Sequence, residues 1–204
     1  ARYVLATRGD AGTHRRDITR EQLARIREEE QRAAARAIGV EEVVFLGYPD
    51  GMVQPTIELR RDLVREIRRF RPDVAICFDP TRVFVRNSYI NHPDHRAVGQ
   101  AAIDALSPTA AMPLSFPEQI EAGLEPHRVR QIMVAATQTP DTWIDISETL
   151  EAKVEALRQH RSQLRGDFDY LGMIRQWAED AGAEAGVPYA ESFMQIVRPA
   201  DRPD

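Results

Sequence analysis

In the stretch "NHPDHRAVG", two histidines bracket a proline and an aspartate, and His92, Asp94 and His95 open a helical pattern. Neutral imidazole is the commonest protein ligand for zinc-like metals, and zinc accepts nitrogen and carboxylate donors. A spacing of i, i+3 on a first helical turn puts both imidazoles on one side. Pro93 suits the first helical position, where its missing N–H costs nothing. Asp94 falls in the first turn, where a carboxylate meets the positive end of the helix dipole and could also orient an imidazole. A plain helix start with two surface histidines, capped by Asp94, fits the same residues, and a bare H-x-x-H does not separate the two readings. A catalytic zinc takes three protein ligands plus water. A metal site here therefore needs more ligands, and Asp10, His14, Asp50 and Asp79 are the placed candidates.

Their placement follows from the elements around them. "YVLAT" (3–7), "VVFL" (43–46), "DVAICF" (73–78) and "QIMVAAT" (131–137) are short apolar runs bounded by turn residues, and "YAESFMQIV" (189–197) reads as a last strand. Between them, residues 19–39, 56–70, 94–106, 147–163 and 170–181 carry helical periodicity, with Gly39 closing the first helix and Ser147 expected as an N-cap. Strands alternating with helices, each strand continuously apolar, predict an α/β fold: a Rossmann-like, doubly wound, mostly parallel sheet with helices on both faces. In such sheets ligands bind beyond the carboxyl ends of the strands. Arg8, Asp10 and His14 follow the first strand there, Asp50 the second and Asp79 the third. His92, Asp94 and His95 lie on the loop after the third. The loop "TRVFVRNSYI" and the Pro-rich segment 107–126 are expected to shape the pocket.

Composition narrows the function. The 204 residues are 43% hydrophobic with a net charge of −5, which suits one globular domain and argues against a nucleic-acid binder. No apolar run approaches the roughly 20 residues that span a bilayer. The single cysteine, Cys77, rules out an intramolecular disulfide and fits a reducing, cytoplasmic setting; inside an apolar strand it reads as core. There is no G-x-S-x-G elbow and no Gly-rich phosphate loop. His127 precedes a strand on the far side of the sheet and reads as structural. By default Arg27 is a solvated charge on a helix, Glu28, Glu29 and Glu30 likewise, and His160 a partly buried histidine on a helix face.

Taken in order, "LATRGDAGTH", "RIREEEQRAAARAIGVEEVVFLGYPDG", "RPDVAICFDP", "HPDHRAVGQAAIDAL" and "LEAKVEALRQHRSQ" resemble the LmbE-like (PIG-L) family of zinc-dependent deacetylases over nearly the whole chain. The resemblance implies one LmbE-like domain over residues 1–204. It implies hydrolysis of an N-acyl amide on an N-acetylglucosaminyl-type or related small-molecule conjugate, with Zn²⁺ as cofactor. It makes His95 a zinc ligand and His92 the group that stabilises the oxyanion or protonates the leaving amine. Asp94 orients that histidine, Arg27 contacts substrate, and His160 lies near the pocket. The partner it implies is a small N-acetylated substrate, with neither nucleic acid nor membrane, and a homo-oligomer is open.

The chain departs from the family in one respect. The family's AHPDDE motif, which supplies two zinc ligands and the general base after the first strand, has no counterpart here. Asp10 and His14 are not equivalent to it. The chain begins at what resembles the second strand, so the expectation is a domain truncated at its N-terminus, by loss of upstream sequence, by cleavage, or as a degenerate paralogue. The abrupt "ARYVLAT" and the retained HPDH favour the first. The rival reading is a non-catalytic α/β domain that binds a sugar, and a metal-dependent phosphoesterase is the third.

Overall fold

The computed structural model describes residues 1–85, 89–164 and 168–199. In chain order the first elements are β1 (Arg2–Thr7), α1 (Arg20–Ala37), β2 (Glu42–Tyr48), α2 (Ile57–Phe70), β3 (Val74–Phe78), β4 (Phe84–Val85), β5 (Tyr89–Ile90) and α3 (Pro93–Leu106). Then come α4 (Pro117–Glu121), β6 (Gln131–Ala135), β7 (Thr142–Asp145), α5 (Leu150–Arg158), α6 (Tyr170–Ala185) and β8 (Ala190–Val197). The architecture is α/β and Rossmann-like. The chain forms two compact units, Ala1–Gly51 with Trp143–Ser192, and Met52–Thr142 with Phe193–Asp204.

In the first unit, β1 and β2 pair in parallel from Arg2↔Glu42 to Leu5↔Phe45, with α1 as the crossover. Thr19 starts α1 through a capping box: its hydroxyl accepts from the Gln22 N–H and the Gln22 side chain accepts from the Thr19 N–H at 2.9 Å. The helix ends where Gly39 takes φ +74°, a conformation that only glycine adopts without cost. Ala35, Val40 and Val43 form one core with Leu5 and Phe45. Ile146, Leu150, Val154 and Ala178 form a second, under α5 and α6.

Two expectations fail here. Ser147 does not cap the helix that follows. Its hydroxyl accepts from the Tyr189 N–H at 3.2 Å while its own N–H donates to Asp145 at 2.8 Å, so its polar atoms are committed to neighbouring segments. Helix α5 starts at Leu150 and ends at Arg158, which leaves His160 on a turn beyond the helix.

In the second unit β3 and β6 run parallel in register from Val74↔Gln131 to Phe78↔Ala135, and β8 pairs antiparallel on the other side of β6. Ala75 and Cys77 pack with Ile67 and Met194 on the buried cluster of Leu106, Val129, Ile132 and Val134. Alternation sends Val74, Ile76 and Phe78 to the other face of β3, where they are exposed. Thr56 caps α2, whose Leu59, Leu63 and Val64 are buried.

Arg68, on the same helix, is 1% exposed. Its guanidinium donates to the carbonyls of Ala110 (3.1 Å), Met112 (2.8 Å) and Ser115 (2.9 Å), which ties down the Pro-rich segment that the sequence leaves irregular. The His127 Nε2–H donates to the Pro72 carbonyl, 2.8 Å away, in agreement with its structural reading. The loop before HPDH contains a short antiparallel hairpin, β4–β5, that periodicity did not signal, because each strand is two residues long. Residues 86–88 of that loop lie outside the described residues.

Candidate active site

The HPDH stretch forms the start of α3. His92 is the N-cap, Pro93 opens the helix, and Asp94 and His95 complete its first turn. The His92 Nδ1 accepts the Asp94 backbone N–H at 3.2 Å. In the neutral ring that acceptor role leaves the proton on Nε2, so His92 offers an N–H donor away from the helix. The Asp94 carboxylate is buried and accepts the Val53 N–H at 3.1 Å. That bond ties the helix start to the loop before α2.

His95 stacks on Phe78 at the end of β3, with ring centroids 4.5 Å apart and planes within 9°. The His92 and His95 rings lie 5.4 Å apart, tilted by 45°. Burial lowers the pKa of His95, nearby His92 lowers it further, and Asp94 opposes both. A neutral imidazole with a free nitrogen lone pair is the form that binds a metal or takes a proton.

The helix reaches this position because residue 99 has no side chain. A Cβ at Gly99 would sit 2.5 Å from the Phe78 carbonyl oxygen and 3.3 Å from the Pro80 nitrogen. Gly99 lies one helical turn after His95, so the close approach of α3 to β3 and the His95–Phe78 stack share one cause.

Each of the acidic candidates is already engaged by protein donors. In the first unit Asp50 accepts from the Thr7 hydroxyl (3.3 Å) and the Ala11 N–H (3.0 Å), and Asp10 pairs with Arg20 at 2.7 Å. The Arg20 hydrogen bond holds the Asp10 carboxyl below its usual range. In the second unit Asp79 is buried and accepts the Thr81 N–H and hydroxyl at 2.8 and 2.6 Å. Among the described residues no group of three or more His, Cys, Asp and Glu side chains could hold a metal ion. The donor set around His95 thus falls short of a complete zinc site, and a catalytic zinc does not fit the described residues alone.

Arg27 and His160 come together in the first unit. Arg27 donates to the Gly12 carbonyl at 2.9 Å from the middle of α1. Burial lowers the pKa of His160, with Glu30 opposing and Arg27 reinforcing. Glu30 proves to be more than a solvated charge: its carboxylate accepts the Ser162 N–H at 2.6 Å and the Ser162 hydroxyl at 2.7 Å, which pins the His160 turn to α1. The sequence holds only a faint signal for this pair, a carboxylate one turn after Arg27 and a serine two residues after His160. For Gly99 the signal was plainer, a glycine inside a helical pattern one turn beyond His95.

The chain is 34% identical over 196 residues to the diacetylchitobiose deacetylase of Thermococcus kodakarensis, covering 95% of this chain and 71% of that protein. It is 30% identical over 172 residues to a probable N-acetyl-alpha-D-glucosaminyl L-malate deacetylase 2 of Bacillus anthracis, covering 79% and 67%. The structure of the N,N'-diacetylchitobiose deacetylase from Pyrococcus horikoshii, complexed with its inhibitor MPG, superposes with a TM-score of 0.87 at 31% identity, over 96% of this chain and 72% of that one. No helix among the described residues is long and apolar enough to cross a membrane. Residues 1–106, which include Arg27 and the whole HPDH stretch, match the family described as PIG-L: GlcNAc-PI de-N-acetylase, and the chain belongs to that family of amide-hydrolysing deacetylases.

Proposed function

We propose that this chain, as one deacetylase domain, removes the acetyl group from an N-acetylglucosamine-type sugar. The observation that carries this reading is the α3 N-terminus: His92 donates from Nε2 because its Nδ1 is occupied by the Asp94 N–H, and His95 is held neutral beside it. Hydrolysis of the amide places negative charge on the carbonyl oxygen as water adds. The His92 Nε2–H stabilises that charge; one such donor is worth about 3–4 kcal/mol. The leaving amine takes up the proton that the attacking water loses, and acetate is the other product. Asp94 positions His92 through its backbone N–H, while its carboxylate anchors the turn on Val53.

His95 would supply one nitrogen ligand to a zinc ion, whose chemistry would be to lower the pKa of bound water and polarise the amide. Within the first unit, Arg27 keeps the substrate contact that the family resemblance implies, with His160 near it.

The test is release of free amine from N,N′-diacetylchitobiose or N-acetylglucosamine by the zinc-supplemented protein, with His92→Ala beside it. The variant is expected to lose about 100- to 1,000-fold in turnover. Normal turnover in the variant removes the assignment. The incomplete ligand set favours a second reading, sugar binding without turnover. It predicts binding of the same sugars with no amine released at any zinc concentration.

A further inference from the structure

The Pro-rich segment that Arg68 ties down also walls a cavity in the second unit. The cavity holds about 360 Å³ and is lined by Arg65 and Arg69 of α2 and by Glu118, Gln119, Ala122 and Leu124 of α4 and the turn after it. Small-molecule pockets run from about 300 to 1,000 Å³. Helix α2 rises about 1.5 Å per residue, so Arg65 and Arg69 stand roughly 12 and 18 Å beyond its first residue. The loop that Asp94 holds through Val53 lies at the opposite end of the same helix, which separates this cavity from the α3 N-terminus.

One wall is built in advance. Gln119 is buried, and its side chain donates to the Arg61 carbonyl at 2.8 Å and accepts from Arg68 at 3.3 Å. Gly123, at φ +81°, closes α4. Its N–H donates to the Ile120 carbonyl at 2.8 Å, and the Leu124 N–H donates to the Gln119 carbonyl at 2.9 Å. These bonds satisfy the polar groups of the wall internally, and Ala122 and Leu124 are its apolar part.

The other wall is cationic. Arg65 and Arg69 are four residues apart and share one face of α2. The Arg65 Nη1 donates to Asp62 at 3.0 Å and the Arg69 Nη1 to Glu66 at 2.8 Å, and each acid is more deeply buried than the arginine it holds. Among the described residues each guanidinium spends only its Nη1 in this way, and its remaining N–H groups are available to a ligand oxygen. Asp62 and Glu66 offset the charge of the two arginines. A phosphate dianion would therefore gain little here and would meet the Glu118 carboxylate as well. A ligand that carries both signs suits all three groups.

We propose that this cavity binds a free α-amino acid with an aliphatic side chain. Its carboxylate accepts N–H bonds from Arg65 and Arg69, its ammonium pairs with Glu118, and its side chain covers Ala122 and Leu124. The site is independent of the α3 N-terminus and of the deacetylase reading.

Calorimetric titration of the whole chain tests this with L-leucine, with 4-methylpentanoate, which lacks the ammonium, with leucinamide, which lacks the carboxylate, and with inorganic phosphate. Leucine is expected to bind with a Kd on the order of a millimolar or tighter. Each analogue should bind about tenfold or more weakly, because one charged hydrogen-bonding group is gone. Arg69→Gln should weaken leucine by a similar factor. Glu118→Gln should weaken leucine and strengthen 4-methylpentanoate, which narrows or inverts the preference. Both of these side chains are exposed, and circular dichroism checks that the variants fold. His92→Ala should leave leucine binding unchanged.

No binding of leucine up to about 50 mM overturns the proposal. Equal binding of leucine and 4-methylpentanoate overturns it too, as does phosphate bound more tightly than leucine. An unchanged leucine affinity in folded Arg69→Gln, or its loss in His92→Ala, puts the ligand elsewhere and removes the site.

Discussion

Gly99→Ala should damage both stability and the site, although glycine to alanine inside a helix is ordinarily favourable. The added Cβ would stand 2.5 Å from the Phe78 carbonyl oxygen, 3.2 Å from its carbon and 3.3 Å from the Pro80 nitrogen. Unstrained heavy-atom contacts lie near 3.5 Å, so the worst overlap is about 1 Å. All three atoms are backbone, and no side chain can swing away. Helix α3 must retreat from the end of β3 by a similar distance. Such overpacking costs about 3 kcal/mol at the upper end of its usual range, and the better helix propensity of alanine returns about 1 kcal/mol. The net loss of about 2 kcal/mol lowers Tm by about 4–8 °C for a chain of this size.

The same retreat pulls His95 off Phe78, now stacked at 4.5 Å, and stretches the 3.1 Å bond between Val53 and Asp94. A misplacement of about 1 Å in a site can cost 100-fold in rate. Calorimetric melting, the ring-current shift of the His95 imidazole protons and amine release together check the chain of causes. A Tm that is unchanged or raised, with the imidazole resonances where they were, would refute it.

Three further outcomes follow from buried polar groups. Replacing Arg68 by Met leaves the carbonyls of Ala110, Met112 and Ser115 without their donor; at about 1 kcal/mol or more each, the loss should reach about 3 kcal/mol in urea denaturation. A loss below 1 kcal/mol would mean that water replaces the guanidinium. Burial, and secondarily Asp79, pushes the Cys77 thiol up to about 11. Iodoacetamide at pH 8 should therefore label the folded chain at least about 100-fold more slowly than the unfolded one, and equal rates would contradict the burial of that face of β3. His160 holds its proton less tightly folded than unfolded, so below its ordinary value of 6.5 the unfolded chain is protonated first. Its contribution to stability is intact above that pH and is lost as pH falls toward the folded value. His160→Gln should flatten part of that slope, His95 supplying the rest with the same sign; an unaltered slope would place His160 in water.

The alternation of strands and helices, the end of α1 at Gly39 and the helix start at HPDH were legible because each depends on neighbours a few residues apart. Apolar spacing, a capping hydroxyl and a proline act within one turn, and any fold that uses the segment must respect them. His92, Asp94 and His95 could be singled out from residue type and spacing for the same reason, whereas Arg27 came only from the family resemblance.

Tertiary structure decided what local rules do not reach. Ser147 reads as a cap until Tyr189, 42 positions away, takes its hydroxyl. Glu30 reads as a solvated charge until Ser162, 132 positions away, supplies two donors. Gly99 is only a weak spot in a helix until the Phe78 carbonyl arrives beside it, and Phe84 and Ile90 are only a loop until their strands pair. A hydrogen bond or a steric contact depends on distance in space, and spatial neighbours distant in sequence leave no periodic trace along the chain. The sequence by itself determined which groups could do chemistry here, and the packing of α3 on β3 decided where His92 and His95 stand relative to each other.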